Sequence, residues 1–428
     1  MSRLRDIVGA VLRRLNAESF GRGATFFLVS STLVNASSFL FHMAGSRLLG
    51  PRDYGSLSTL TNMANLIALP FGALQFAVTQ AVLENVRDEG LTVVRLLRRT
   101  ALVGTSLSLV ILTFLGRIDA YLHLTSPFPM IMVTVWIPFA LLTTFLQGLL
   151  IGEFKYYPVA IGTLVGGGLL RLALGVLLIA VGWGVTGAMA SLLVAQVFSV
   201  GYLIYQARHS LRSASHQDHL RVGFRHISMS IFAFAGFTGF TAVDTFLARH
   251  YFTSFNAGQY AASAIAAHIA LFLPVALVTV SFPHLVGEKV ISDASRRLII
   301  RGLLFALGLG LIVAAAFSAL PTVVTGFLFG SRFSQAATIL RVLVVQSVGL
   351  SILSFLVFIQ LARRHISALV PLVGIGVAVV VAALHPVSFT GLAWLMLFVT
   401  TGAVVVVGVS LGVAMRTSRR LLETTPVP

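Results

Sequence analysis

Apolar runs of about 20 residues recur along this chain from Ala24 to Met415, separated by short polar breaks. A run of that length spans a ~30 Å hydrocarbon core as a helix, the one isolated segment that pairs all of its own backbone groups away from water. Of the 428 residues, 57% are hydrophobic and only 10% charged, which leaves no stretch for a soluble domain. The chain therefore reads as an all-α polytopic membrane protein. Setting the runs against their breaks gives twelve spans, at 24-48, 56-83, 100-123, 130-152, 158-181, 185-207, 227-250, 259-286, 299-320, 335-361, 366-385 and 390-414.

Charge orients the spans. With the N-terminus in the cytoplasm, 23 of the 30 lysines and arginines fall on cytoplasmic segments. That asymmetry is what the positive-inside rule requires of an even number of spans with both termini cytoplasmic. The net charge of +17 is thus explained by topology and anionic lipid, and no nucleic-acid partner is expected. Arg47, Arg52, Arg117, Arg249 and Arg332 sit near outer ends, and Arg171 and Arg341 lie inside spans. Cysteine is absent, which excludes disulfides and thiolate chemistry. The eleven histidines lack the spacing of metal ligands, so neither a metal nor a cofactor is expected. The opening segment, 1-23, is basic and amphipathic and reads as a cytoplasmic interfacial helix. Residues 208-226 form the longest inner loop and read as a linker between halves at 24-207 and 227-414, with a cytoplasmic tail at 415-428.

The second half partly echoes the first. After span one comes "SRLLGPRDYG", and after span seven "ARHYFTSFNAGQYAA". Each has an arginine at the end of a span (Arg47, Arg249), a short turn, a tyrosine before a small residue (Tyr54-Gly55, Tyr260-Ala261) and then a proline inside the next span (Pro70, Pro274). "LQGLLIGEFKYYPVA" after span four also pairs with "FIQLARRHISALVP" after span ten, with Gln147 and Gln360 at similar depths. Spans one and seven run in the same direction, so the expected duplication is parallel, about an axis along the membrane normal.

With its "RLLGPRDYG" elbow, the matching turn before span eight, and Gln147 ahead of "GEFKYYPVA", the chain resembles the polysaccharide transporter branch of the multidrug, oligosaccharidyl-lipid and polysaccharide exporter superfamily. This branch contains the O-antigen and exopolysaccharide repeat-unit flippases. The resemblance implies two six-helix bundles set in a V around a central cavity. It also implies a multi-pass protein of the bacterial cytoplasmic membrane that moves undecaprenyl-pyrophosphate-linked oligosaccharide across it by alternating access.

Polar groups inside hydrocarbon are costly and mark candidate function. Arg171 lies mid-span in "GTLVGGGLLRLALG", on one face with Gly167 and Gly175, which suits either a cavity-facing charge or close helix packing. Asp244 is the only carboxylate well inside a span; it either binds a coupling cation, H+ or Na+, or pairs with Arg249 or Arg341. Ser31, Asn35, Ser38 and His42 form a polar stripe on span one, and Ser58, Asn62 and Asn65 one on span two. A pyrophosphate head group calls for the bidentate fork of arginine. The expected substrate contacts are Asn35, His42, Arg47, Asn62, Arg171, Arg249 and Arg341, with Asp244 as the coupling site. Pro70, Pro274 and Pro283 are expected to bend their helices.

Two other functions compete. A drug/cation antiporter of the same superfamily calls for acidic cavity residues, which Asp244 alone supplies. A membrane-embedded sugar polymerase or ligase needs catalytic groups on an outer loop, and the longest outer piece, "PTVVTGFLFGSRFSQ", carries no acid. The expectation is therefore a transporter and not an enzyme.

Overall fold

The computed structural model describes residues 2-83, 91-124, 126-213, 219-220, 228-271, 293-363, 365-385 and 387-424. Pro274 and Pro283 fall outside these. Apart from a two-residue antiparallel ladder, Leu91–Thr92 with His219–Leu220, regular structure among the described residues is helical.

Eight helical stretches are long and apolar enough to cross a membrane. Two of these are double spans. The first helix, Ser2–Leu83, is broken only at Gly50, whose φ of 72° and ψ of 176° reverse the chain. Glycine adopts this backbone without a Cβ penalty, and Pro51, with φ fixed and no N–H to satisfy, restarts the helix at once. The stretch 156-211 turns likewise at Gly182 and Gly184. Divided there, the eight stretches give ten helical segments, and Ser228–Tyr251 and Ser254–Ala267 bring the number to twelve among the described residues. Numbered as spans one to twelve, they are residues 2-49, 51-83, 93-121, 128-152, 156-183, 184-213, 228-251, 254-267, 293-319, 336-362, 370-384 and 389-424. Thr253 caps span eight by accepting from Asn256 N at 3.3 Å. Between spans nine and ten a short helix, Pro321–Phe329, leads into a 3-10 turn, Ser331–Phe333. Span five is unusual in carrying two π-helical stretches, Thr163–Leu170 and Ile179–Trp183.

Large apolar side chains are exposed along the outsides of spans three and twelve, among them Leu102, Val103, Phe398, Val405 and Val409. In water such surface is costly; in a bilayer it meets lipid tails.

The chain divides into two compact units. One comprises Met1–Gly45, Pro70–Asp119 and Ser126–Arg225. Its inner core is built on span four, where Phe145, Leu146, Leu149 and Leu150 pack with Val78, Val159 and Leu203. The second comprises Ser46–Leu69, Ala120–Thr125 and His226–Pro428. It therefore includes the elbow around Gly50 and the six-residue connection 120-125, both of which lie in sequence between segments of the first unit.

Internally the two units follow one plan. Span four packs most extensively on spans six and three, and span ten on spans twelve and nine. A Cβ added to Gly175 on span five would stand 2.4 Å from the Phe41 ring of span one, and one on Gly374 of span eleven 2.8 Å from the Phe240 ring of span seven. In each unit an aromatic ring thus fills a notch that only glycine leaves open.

The elbow is sealed by aromatic packing. Tyr54 is wholly buried, with its ring 5.9 Å from that of Phe329 and 5.6 Å from that of Phe333. Tyr260, its counterpart in the echo, is equally buried against Phe252 and Phe389.

Candidate functional site

Each unit carries a candidate charged centre within its helices. In the first unit this is Arg171, placed immediately after the π-helical stretch Thr163–Leu170. Local widening of this kind is often found at functional positions. The guanidinium carbon lies 4.8 Å from the centroid of the Phe41 ring, in the range of a cation–π contact. Nε and Nη2 are buried and meet no hydrogen-bond partner among the described residues. His42, 8% exposed on span one, lies within electrostatic reach of Arg171. The glycine face around the arginine does pack closely: Gly168 meets Val34 and Ser37, and Gly175 meets Phe41 and Ser191, whereas nothing approaches Gly167 within 4 Å. The close-packing reading of this stretch therefore holds at Gly168 and Gly175.

In the second unit the centre is Asp244, 2% exposed on span seven. One carboxylate oxygen accepts from the Thr245 backbone N–H at 2.6 Å and from its hydroxyl at 3.2 Å, and the Tyr260 side chain faces the carboxylate from span eight. Thr241, three residues before Asp244, and Arg341, a partner expected from sequence, are engaged elsewhere. Thr241 donates to its own helix at Thr238 O. Arg341 is exposed and donates through Nε to Ser318 O at 3.0 Å.

Arg249, offered from sequence as a partner of Asp244, is held elsewhere. It is 2% exposed, with Nε donating to Leu122 O and Nη2 to His123 O, both at 2.7 Å. Among the described residues, then, Asp244 makes no ion pair, and the two arginines proposed as structural partners are held by backbone carbonyls. A buried carboxylate with only neutral donors around it is a site able to exchange a proton or bind a small cation.

The remaining candidates are spread out. Arg47 is exposed at the elbow and donates to Phe327 O. On the polar stripe of span one, Asn35 is exposed while His42 is buried; on span two Asn62 is half-buried. Gln147 donates to Thr163 Oγ1 at 3.1 Å, tying span four to the start of the π-helical stretch. Gln360 instead donates to Ser410 of span twelve at 3.0 Å. Two residues that matter to these centres were not singled out for them in sequence. Tyr260 had been noticed only as an echo of Tyr54, and Phe41 carries no signal at all among the 32 phenylalanines.

No family model matches the chain, and no curated protein matches it. Solved structures do. The chain is similar to the inward-facing conformation of a multidrug resistance MATE family transporter of the MOP superfamily, with a TM-score of 0.70 and 13% identity over 92% of this chain and 96% of that one. It is also similar to an outward-facing conformation of such a transporter, with a TM-score of 0.61 and 13% identity over 93% and 96% of the two chains. A MATE protein in complex with MaL6 matches with a TM-score of 0.61 and 14% identity, over 93% and 97%. At that identity the likeness establishes architecture, and the architecture of this chain is the polytopic all-helical fold of the MATE transporters in the MOP superfamily.

Proposed function

We propose that the protein is a cation-coupled membrane transporter that works by alternating access, with Asp244 as the coupling carboxylate. The observation that carries this reading is the isolation of Asp244: it is buried, hydrogen-bonded to neutral donors, and without a cationic partner among the described residues. A structural ion pair would have placed Arg249 or Arg341 against it. The inward-facing and outward-facing transporter structures of similar fold support two-sided access. The parallel packing plan supports two six-helix halves, at 24-207 and 227-414, joined by the inner linker 208-226. Both termini then lie on the cytoplasmic side of the plasma membrane of a bacterium.

For the cargo, the multidrug transporters of similar fold support export of organic cations, with H+ or Na+ entering at Asp244. One observation favours a second cargo, a lipid-linked oligosaccharide. Arg171 holds two unused donors at mid-membrane, which suits a pyrophosphate better than a cationic drug. In that reading Asn35, His42 and Asn62 line the sugar path, while Arg47 and Arg341 meet the charged group toward the outer side.

Reconstitution into vesicles tests both parts. A proton or Na+ gradient is expected to drive transport by wild type, and Asp244→Asn to lower the driven rate below about a tenth of it. Equal rates for the two proteins would remove Asp244 from the coupling role. Arg171→Ala separates the cargoes. It is expected to abolish flipping of an undecaprenyl-pyrophosphate oligosaccharide, and to leave efflux of a cationic dye intact or faster.

A further inference from the structure

Arg249 is a surprising residue to find wholly buried on backbone carbonyls. A single span-seven arginine captures the turn that follows span three, and the neighbouring His250 adds to the grip. The His250 ring stacks on Tyr121 with centroids 4.1 Å apart, and its Nδ1 lies 3.1 Å from Tyr121 O. Carbonyls at 121, 122 and 123 are thus all met by two consecutive side chains. Asp53 of the elbow lies near enough to attract the same guanidinium. On the elbow side the fit is backbone to backbone. A Cβ on Gly258 would stand 1.7 Å from Pro51 O, and one on Gly55 2.9 Å from Gly258 N. The two turns that echo one another in sequence therefore dock directly on each other.

Polar groups nearby are unsatisfied. The hydroxyls of Ser58 and Thr61, just beyond the elbow on span two, are buried and meet no hydrogen-bond partner among the described residues. Orphaned hydroxyls oppose the docked arrangement and are satisfied when water reaches them. Attachments that are strong, local and few, set against groups that gain from exposure, make up a bistable element.

We propose that the second unit carries a releasable outer latch, in which Arg249 holds the 120-124 turn and Gly258 receives the Gly50-Pro51 elbow, and that release of both exposes the Ser58 face of span two to the outside. The proposal rests on the alternating-access reading. Within it, Arg249 is a positioning residue that sets the population of the outward-open state and does not touch cargo.

The cysteine-free chain makes the test direct, because Ser58→Cys introduces the only thiol. The thiol is labelled in intact cells or right-side-out vesicles with a membrane-impermeant maleimide, with and without an imposed cation gradient. In the parent S58C protein labelling is expected to be slow and to change with the gradient. Adding Arg249→Ala is expected to speed it about tenfold, the population change that accompanies loss of charged hydrogen bonds. Arg249→Lys, which cannot reach both carbonyls, is expected to fall between. Gly258→Ala breaks the other contact by steric exclusion and is expected to speed labelling even if the arginine variants insert poorly. If R249A and G258A proteins of normal abundance label as slowly as the parent while the parent still responds to the gradient, the latch is wrong and the transport cycle stands. If labelling responds neither to the substitutions nor to the gradient, both readings fall.

Discussion

Arg171 shows how a residue becomes conspicuous by what it lacks. A buried guanidinium with two unmet donors costs stability, about 1–3 kcal/mol for each unsatisfied group. Replacing a buried charge with an apolar chain of similar length often stabilises. Arg171→Met is therefore expected to raise the thermal unfolding midpoint of the purified protein while removing pyrophosphate-linked transport. A lower midpoint would instead make the Phe41 contact and local packing the reason the arginine is there. The residue itself was legible in sequence, because an arginine in a glycine-rich apolar run has no cheap explanation. Its environment was not, since the choice of Phe41 as partner depends on the rotation of span one.

At the scale of helices, glycine sets the distance between spans. Gly175 and Gly374 give way to Phe41 and Phe240, so a side chain at either position forces a ring to move. Gly175→Val is expected to destabilise by about 1–3 kcal/mol through overpacking. Gly402→Ala, where nothing lies within 4 Å, is expected to be neutral or to stabilise by up to about 1 kcal/mol. Thermal unfolding of the two variants in one detergent checks the contrast, and equal midpoints would refute it. Hydropathy located the spans well because length and apolarity are properties of the segment alone. The Gly-Phe notches and the π-helical turns of span five depend on a neighbour's surface, which no window along the chain contains. The proline expected to bend span two does not break it: Pro70 lies within a continuous helix, with the boundary between the compact units falling at Leu69 and Pro70.

Taken whole, the molecule uses one packing plan twice, with the Arg171 cation in one unit and the Asp244 acid in the other. The echo of "GPRDYG" in "FNAGQYAA" accompanies that repeated plan, because both turns must solve the same problem of reversing a helix. That the turns also pack on each other lay beyond the sequence, since a carbonyl resting on a glycine involves no side chain. The Leu122 and His123 carbonyls escaped notice for the same reason.

The break at Gly50 has a bearing on how this protein tolerates change. Surface turns of membrane proteins are the usual places for epitope tags and chance insertions. Here the turn is a single residue with helix on either side, and one added residue after Pro51 advances span two by about 100° about its axis. Tyr54 would then swing away from Phe329 and Phe333, and each residue beyond it would present a different face. The elbow is thus expected to reject even a one-residue insertion, which makes it a phase-setting joint.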